Sequence, residues 1–180
     1  MKNNIKAFIK EIVPIIAGIL IALFINNWNE NRKDKKYIDQ IFTSIDKELS
    51  ETKEDIISKL AQQKSLLDTL DFYSKNDTIS LMDAITKVKG IHMPSIKLSA
   101  WKAISNSKIE LIEYDKISTL ANIENQHELF IMKNENFLSF IYPNLNETTN
   151  DKKQTMKIMI LDIISTEKTI QEEIEKILND

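Results

Sequence analysis

The sequence predicts an all-α fold, one N-terminal transmembrane helix followed by an antiparallel helical bundle of about three long and two short helices. Three observations carry that prediction. Residues Ile12 to Ile25 form a run of fourteen residues without a charged or polar side chain. The 180 residues include only two glycines and three prolines, so turns are few and helices long. Beyond the apolar run, apolar residues recur at alternating spacings of three and four, the period of a helix with one buried face.

Fourteen helical residues rise about 21 Å, short of a bilayer core of roughly 30 Å, so the flanks must contribute. Counting from Ala7 to Trp28 gives about 33 Å, with Lys10 and Glu11 near one headgroup layer and Asn26 and Asn27 near the other. Ten of the fourteen residues are Ile, Leu, Val or Phe. At roughly −0.3 to −0.6 kcal/mol each they favour insertion by about −3 to −6 kcal/mol in total. Ile12, Val13, Gly18, Leu20, Leu23 and Ile25 mark the span; Lys10, Trp28, Arg32, Lys33, Lys35 and Lys36 mark its interfaces. The Trp28 ring suits the boundary, and the cations beyond it suit anionic headgroups at about 1 kcal/mol each. Pro14 falls in the first turn of the run, where a missing N–H matters least. A cleaved signal peptide would need small residues before its cleavage site, and Leu23-Phe24-Ile25-Asn26-Asn27-Trp28 supplies none. A buried core helix of a soluble protein is the remaining alternative for a run of this length. The chain thus divides into an anchor, 1–30, and a helical extramembrane domain, 31–180.

The segments Glu11-Ile12-Val13, Gly18-Ile19-Leu20-Ile21-Ala22-Leu23, Ile25-Asn26-Asn27-Trp28-Asn29-Glu30 and Arg32-Lys33 resemble the N-terminal signature of a bacterial family of single-pass membrane proteins, a domain-of-unknown-function family. Tyr37-Ile38, Ile41-Phe42 and Glu48-Leu49 fit the pattern of the helix that follows in that family. A fainter similarity runs through Ile104 to Ile112, where Ser107 stands in place of the glycine that family members tend to have. The resemblance implies an inner-membrane protein with a helical extramembrane domain. It lends no catalytic residue and no cofactor.

Net charge is −3, so the long-range field does not favour nucleic acid. Cysteine is absent, which excludes disulfides, thiolate metal sites, thiol nucleophiles and acylated lipoproteins.

The first helix of the extramembrane domain is expected over about 35–74. Its stripe is Ile38, Phe42, Ile45, Leu49, Ile56, Leu60, Leu67 and Leu70, with Thr52 and Gln63 filling the gaps, and it can run on from the membrane helix. A short helix over 79–89 turns Leu81, Met82, Ile85 and Val88 inward, with Gly90 as its C-terminal cap. Leu98, Trp101 and Ile104 define a third over 97–105, which ends at Ser105-Asn106-Ser107. Ile109 to Ile112 fits a strand fragment or a helix start. The fourth, 115–142, presents Ile117, Leu120, His127, Phe130, Phe137 and Ile141, and Pro143 stops it. The last, 152–179, carries Met156, Ile160, Ile163, Ile170, Ile174 and Ile177. The Ile38–Leu70 stripe also fits a coiled coil between protomers, but Ile41 beside Phe42 and Ile57 beside Ile56 make it wider than a strict seam, which favours packing within one chain.

No catalytic motif emerges. His92, in the connection from Gly90 to Pro94, and His127, on a helix, stand outside any motif and read as structural or surface residues. No zinc-ligand spacing and no phosphate-cradling glycine loop is present, so no cofactor is expected. Ser105-Asn106-Ser107 lacks the glycines and partner base of a nucleophile turn. The carboxylates Glu110, Glu113, Glu172, Glu173 and Glu175 read as solvated helix faces, and Trp101 as core. The expected function is a non-enzymatic, membrane-tethered interaction or scaffold module whose partners are the bilayer and either another protein or its own copies, with no nucleic acid. Alternatives are an extracytoplasmic sensory domain for a small ligand, lacking its own effector, and, more remotely, a carboxylate-based hydrolase. Lys2, Lys6 and Lys10 on one side nearly balance Arg32, Lys33, Lys35 and Lys36 on the other. A short basic N-terminus commonly stays inside, which points to an extracytoplasmic C-terminal domain on the bacterial inner-membrane protein that the resemblance implies.

Overall fold

The computed structural model describes residues 2–179, with the side chains of 1–7 and 9, including those of Lys2, Lys6 and Ala7, outside the described set. Helices α1 (Lys2–Phe72), α2 (Leu81–Lys87), α3 (Ser99–Ser105), α4 (Tyr114–Asn144) and α5 (Asn150–Leu178), with a 3-10 turn at Ile109–Leu111, make up the regular structure, and no strand occurs among the described residues. Compact packing divides the chain into Met1–Phe42 and Thr43–Asp180, a boundary inside α1.

The apolar segment is helical, and from Val13 to Lys33 every residue is exposed. It is long and apolar enough, by length and composition, to cross a membrane. Pro14 does not open this helix as the sequence suggested, because α1 begins at Lys2 and carries Pro14 in its interior. The Lys10 carbonyl therefore lacks its usual helical N–H donor, a loss that apolar helices tolerate when neighbouring groups or local adjustment compensate.

From Thr43 onward the stripe turns inward. Ile45, Leu49, Ile56, Leu66, Leu67 and Leu70 are buried, and the polar Thr52 and Gln63 are buried with them. Ile38 and Phe42 are only half-buried, and Ile57 is exposed, so the buried row is narrower than the paired apolar positions suggested. Cross-links between α1 and α5 run in opposite senses along the two helices: Lys53 meets Glu175 at 2.9 Å, Gln63 meets Glu167 at 2.7 Å, and Lys157 meets Asp71 at 2.6 Å. The two helices are therefore antiparallel. α4 packs on α5, and Lys133 spans them to the Asp162 carboxylate and the Thr166 hydroxyl, each at 2.8 Å. Met156, Ile160, Ile163, Ile170, Ile174 and Ile177 are all buried, as the α5 pattern predicts.

Short elements close the bundle through backbone chemistry. Ser80 caps α2 in a reciprocal capping box: its hydroxyl accepts from the Asp83 N–H while the Asp83 carboxylate accepts from the Ser80 N–H. Those bonds hold the Asp83 carboxyl below its usual range. At the other end Lys89, not Gly90, is the first left-handed residue, with φ 64°, and Gly90 follows at φ 113°. The Lys89 N–H reaches Thr86 O at 3.1 Å and the Gly90 N–H reaches Ile85 O at 2.9 Å, the paired bonds of a Schellman ending. Met82, expected inward, is exposed, and Ala84 takes its place in the core because the N-terminus of α2 is fixed by Leu81 and Met82 N–H bonds to the carbonyls of Glu147 and Leu145. The segment at Ile109–Leu111 resolves into the 3-10 turn. Pro143 does not end α4 ahead of itself; it sits in the last turn, where the ring only displaces the bond to a carbonyl one turn back, and the helix closes at Asn144.

One buried charge pins the far end of the bundle. Lys153, fully buried, donates from Nζ to the carbonyls of Tyr73, Asn76 and Thr148 at 3.0, 2.6 and 2.7 Å. All three N–H bonds of the ammonium are satisfied, and they tie the start of α5 to the turn that follows α1.

Candidate functional site

The residues assigned to a membrane are all placed on the surface of α1. Val13, Leu20, Leu23 and Ile25 are exposed, Gly18 has no side chain near its Cα, and Ile12 is half-buried. Lys10, Trp28, Arg32, Lys33, Lys35 and Lys36 are exposed as well. Between three and four consecutive turns of uncovered apolar side chain, Val13–Ile25, cost about 25 cal/mol per Å² in water, which a lipid environment removes.

A second feature lies in the bundle, where an extended strap, 91–98, between α2 and α3 runs along α1 in the opposite sense. Helical side chains along one face of α1 receive the strap's backbone. The Asp55 carboxylate accepts from the Ser95 N–H at 2.8 Å, the Thr52 hydroxyl accepts from the Lys97 N–H at 3.0 Å, and the Glu48 carboxylate accepts from the Ala100 N–H at 3.0 Å. Glu48 thereby caps α3, whose own N-cap, Leu98, has no side-chain acceptor. Glu51 adds a bond from Lys97 Nζ at 2.7 Å. The Ser95 N–H bond holds the Asp55 carboxyl below its ordinary value, against the opposing effect of burial. An extended segment has no ladder of its own, so these acceptors on α1 stand in for a neighbouring strand.

Further along the same face, Gln63 Nε2 donates to Glu167 Oε1 at 2.7 Å and lies 3.8 Å from the sulfur of Met93 in the strap. Gln63 and Glu167 are both buried. Burial pushes the Glu167 carboxyl up from 4.5 to about 7, and the Gln63 bond offsets only part of that rise. Gln63 Oε1, Glu167 Oε2, His92 Nε2 and Asn134 Oδ1 are buried without a hydrogen-bond partner among the described residues. Two of them belong to the Gln63–Glu167 pair, and His92 adjoins Met93 in the strap. Asn134 lies on α4, where with Ile91, Met93, Pro94, Phe130, Phe137 and Leu138 it lines a cavity of about 250 Å³. The strap thus has a buried polar pair on its α1 side and an apolar cavity on its α4 side, with Met93 touching both.

The carboxylates that the sequence brought forward sit elsewhere. Glu110, Glu113 and Glu172 are exposed, and Glu173 and Glu175 are half-buried. Glu175 pairs with Lys53, which lowers its pKa. No group of three or more His, Cys, Asp or Glu side chains is arranged to hold a metal ion among the described residues. His127 is half-buried on α4; burial, then Lys102, pushes its imidazole below its ordinary value. Trp101 is buried, and its indole N–H donates to Glu124 at 2.7 Å, joining α3 to α4. Ser107 closes the α3 turn by its N–H bond to Ile104 O at 3.0 Å.

Glu167 is the buried carboxyl that sequence reasoning passed over. Its signal was present as a gap: the inward positions of α5 step from Ile163 to Ile170, and the residue one turn past Ile163 is Glu167. Gln63 fills the matching gap in α1.

No family model, no curated protein and no solved structure matches this chain.

Proposed function

We propose that the chain is a membrane-tethered helical module, single-pass in a bacterial inner membrane as its signature resemblance implies, whose bundle binds a partner protein or a second copy of itself without catalysing a reaction. The observation that carries this reading is the uncovered apolar stretch Val13–Ile25 at the head of a bundle whose own apolar stripe is packed. A segment of that composition lowers its free energy by entering lipid. Ile131, Leu138 and Tyr142, exposed along one side of α4, supply apolar surface for a protein contact. The basic N-terminus favours an extracytoplasmic bundle. A C-terminal reporter fusion, fractionated and then treated with protease in spheroplasts, tests this: a membrane-bound, protease-sensitive product is expected, and a soluble product removes the tether. Cross-linking in the native membrane then tests the interaction, with discrete adducts expected and an inert monomer counting against it.

The cavity beneath the strap favours a second reading, a sensory domain for a small ligand that passes its signal to another protein. Pockets between helices of a bundle are common ligand sites.

A further inference from the structure

We propose that Gln63 and a protonated Glu167 close a reciprocal pair that holds the strap, and that loss of this one proton loosens it, so that the bundle senses the pH of the compartment it faces. The input is a proton, and it acts whichever partner the bundle binds. Gln63 Nε2 donates to Glu167 Oε1 at 2.7 Å, and the same nitrogen reaches the Met93 sulfur in the strap at 3.8 Å. One amide therefore joins α1, α5 and the strap. Each partner keeps one atom unsatisfied: Gln63 Oε1 and Glu167 Oε2 are both buried without a hydrogen-bond partner among the described residues. Both are acceptors while Glu167 is ionised. A proton on Glu167 Oε2 turns it into a donor for Gln63 Oε1, and the broad terminal torsions of Glu and Gln let the two come into line. The pair then has two hydrogen bonds and no charge.

Ionised, the same site holds a buried charge with a single donor, and the packed elements supply no cation for it. On α1, Lys53 pairs with Glu175 and Lys59 with Asp55, and Lys64 is exposed. On α4, Lys133 is taken up by Asp162 and Thr166, and His127 answers to Lys102, Glu124 and Glu128. On α5, Lys168 is exposed. In the strap, Lys97 binds Glu51, and His92 keeps a buried, unpaired Nε2. Burial and the Gln63 bond set the Glu167 carboxyl, at about 7. An anion there draws both N–H bonds of Gln63, or water, toward itself, and either change costs the Met93 contact. Asp55, Thr52 and Glu48 keep residues 95–100 in place, so the part that loosens is the 91–94 end.

The test is a pH titration of the full-length chain in lipid nanodiscs with labelled methionine methyl groups, paired with infrared difference spectra of the protonated carboxyl band. The native Met93 methyl is expected to shift in one step centred near 7 and to narrow as the strap end gains freedom, while the carboxyl band fades over the same step. Glu167→Gln offers an amide N–H to Gln63 Oε1 in place of the acid O–H. Its Met93 methyl should therefore stay at the native acidic position at every pH, with that carboxyl band missing and the buried Met156 methyl reporting an intact bundle. His92→Gln, which removes the imidazole of the strap, should leave the step in place. A Glu167 carboxyl ionised throughout, a Met93 methyl that stays still while the carboxyl titrates, or a step that survives Glu167→Gln and vanishes in His92→Gln overturns the proposal. Should Glu167→Gln fail to fold, the native chain still decides: coincident methyl and carboxyl midpoints support the switch, and separate midpoints overturn it.

Discussion

Helix α1 holds two stretches built from the same apolar residue types with opposite fates. Between Val13 and Ile25 the side chains are exposed, Leu20 to 59%; between Ile45 and Leu70 the inward row is packed, Leu70 to 0%, with Ile57 outside it. The difference is one of pattern. A continuous apolar run covers the whole circumference of the helix, and a single packed face cannot bury it, whereas a stripe at spacings of three and four leaves a polar face for water. The second stretch also carries polar residues inside its stripe, Thr52 and Gln63, each with a partner across the bundle. The first carries none.

The sharpest way to break this comparison is to truncate one leucine in each stretch. Leu70→Ala should destabilise the bundle by about 2–5 kcal/mol, since it opens a cavity among packed neighbours. Leu20→Ala should leave bundle stability within about 0.5 kcal/mol, as expected for an exposed site. Thermal melts of both variants followed by circular dichroism decide it, and equal losses would mean that the two stretches share an environment. Leu20→Asp asks the converse question of the anchor. A carboxylate at mid-span costs about 3 kcal/mol of insertion, most of the available −3 to −6. The variant should shift toward the soluble fraction while its bundle melts as before, and unchanged partition would remove lipid from the explanation.

Glu167 sharpens the bundle side. Its carboxyl titrates near 7 when folded and at 4.5 when unfolded, so over that interval the folded chain holds the proton more tightly. Stability therefore falls as pH rises through the window and stays low above it. The loss between pH 5 and pH 8 should be about 2 kcal/mol, and Glu167→Gln, which keeps a hydrogen-bonding head group without the charge, should remove that slope. Chemical denaturation at the two pH values measures it; the same slope in variant and native protein would assign the pH dependence to another group. A smaller loss concerns the strap. Thr52→Val leaves the Lys97 N–H without its acceptor and should cost about 1 kcal/mol, seen as faster amide exchange at Lys97 with the rest of the bundle unchanged. Protection equal to the native chain would mean that the remaining acceptors, Glu48 and Asp55, hold the strap alone.

Much of the architecture was legible in the residues. Helices α2 to α5 fall close to their expected ranges because each has a periodic face, whereas the apolar helix and the first bundle helix are one, Lys2–Phe72, and the α5 stripe is buried at every position it named. Local endings were less legible. Gly90 was expected to cap α2, yet Lys89 takes the first left-handed position, because the ending is set by which carbonyls the two N–H groups reach. Met82 was expected inward, and the contacts of Leu81 and Met82 with the 145–147 loop rotate it to the surface. The candidate site was nearly silent. Asn134, Met93 and Glu167 lie on three separate elements; the gap between Ile163 and Ile170 is the local mark of the buried carboxyl, and nothing local announces the cavity.

What the sequence alone determined is the class: an uncovered apolar helix and an all-α bundle, both consequences of hydrophobic period and scarce turn residues. Only the tertiary structure decided the rest. It selected Thr52, Asp55 and Glu48 as the acceptors for an extended strap. It buried Lys153 against three carbonyls and Glu167 against Gln63. Periodicity reports which face of a helix avoids water, and that is a local property of the chain. The partner of a polar group on that face, and hence its protonation and its use, depends on which distant backbone or side chain the fold sets beside it.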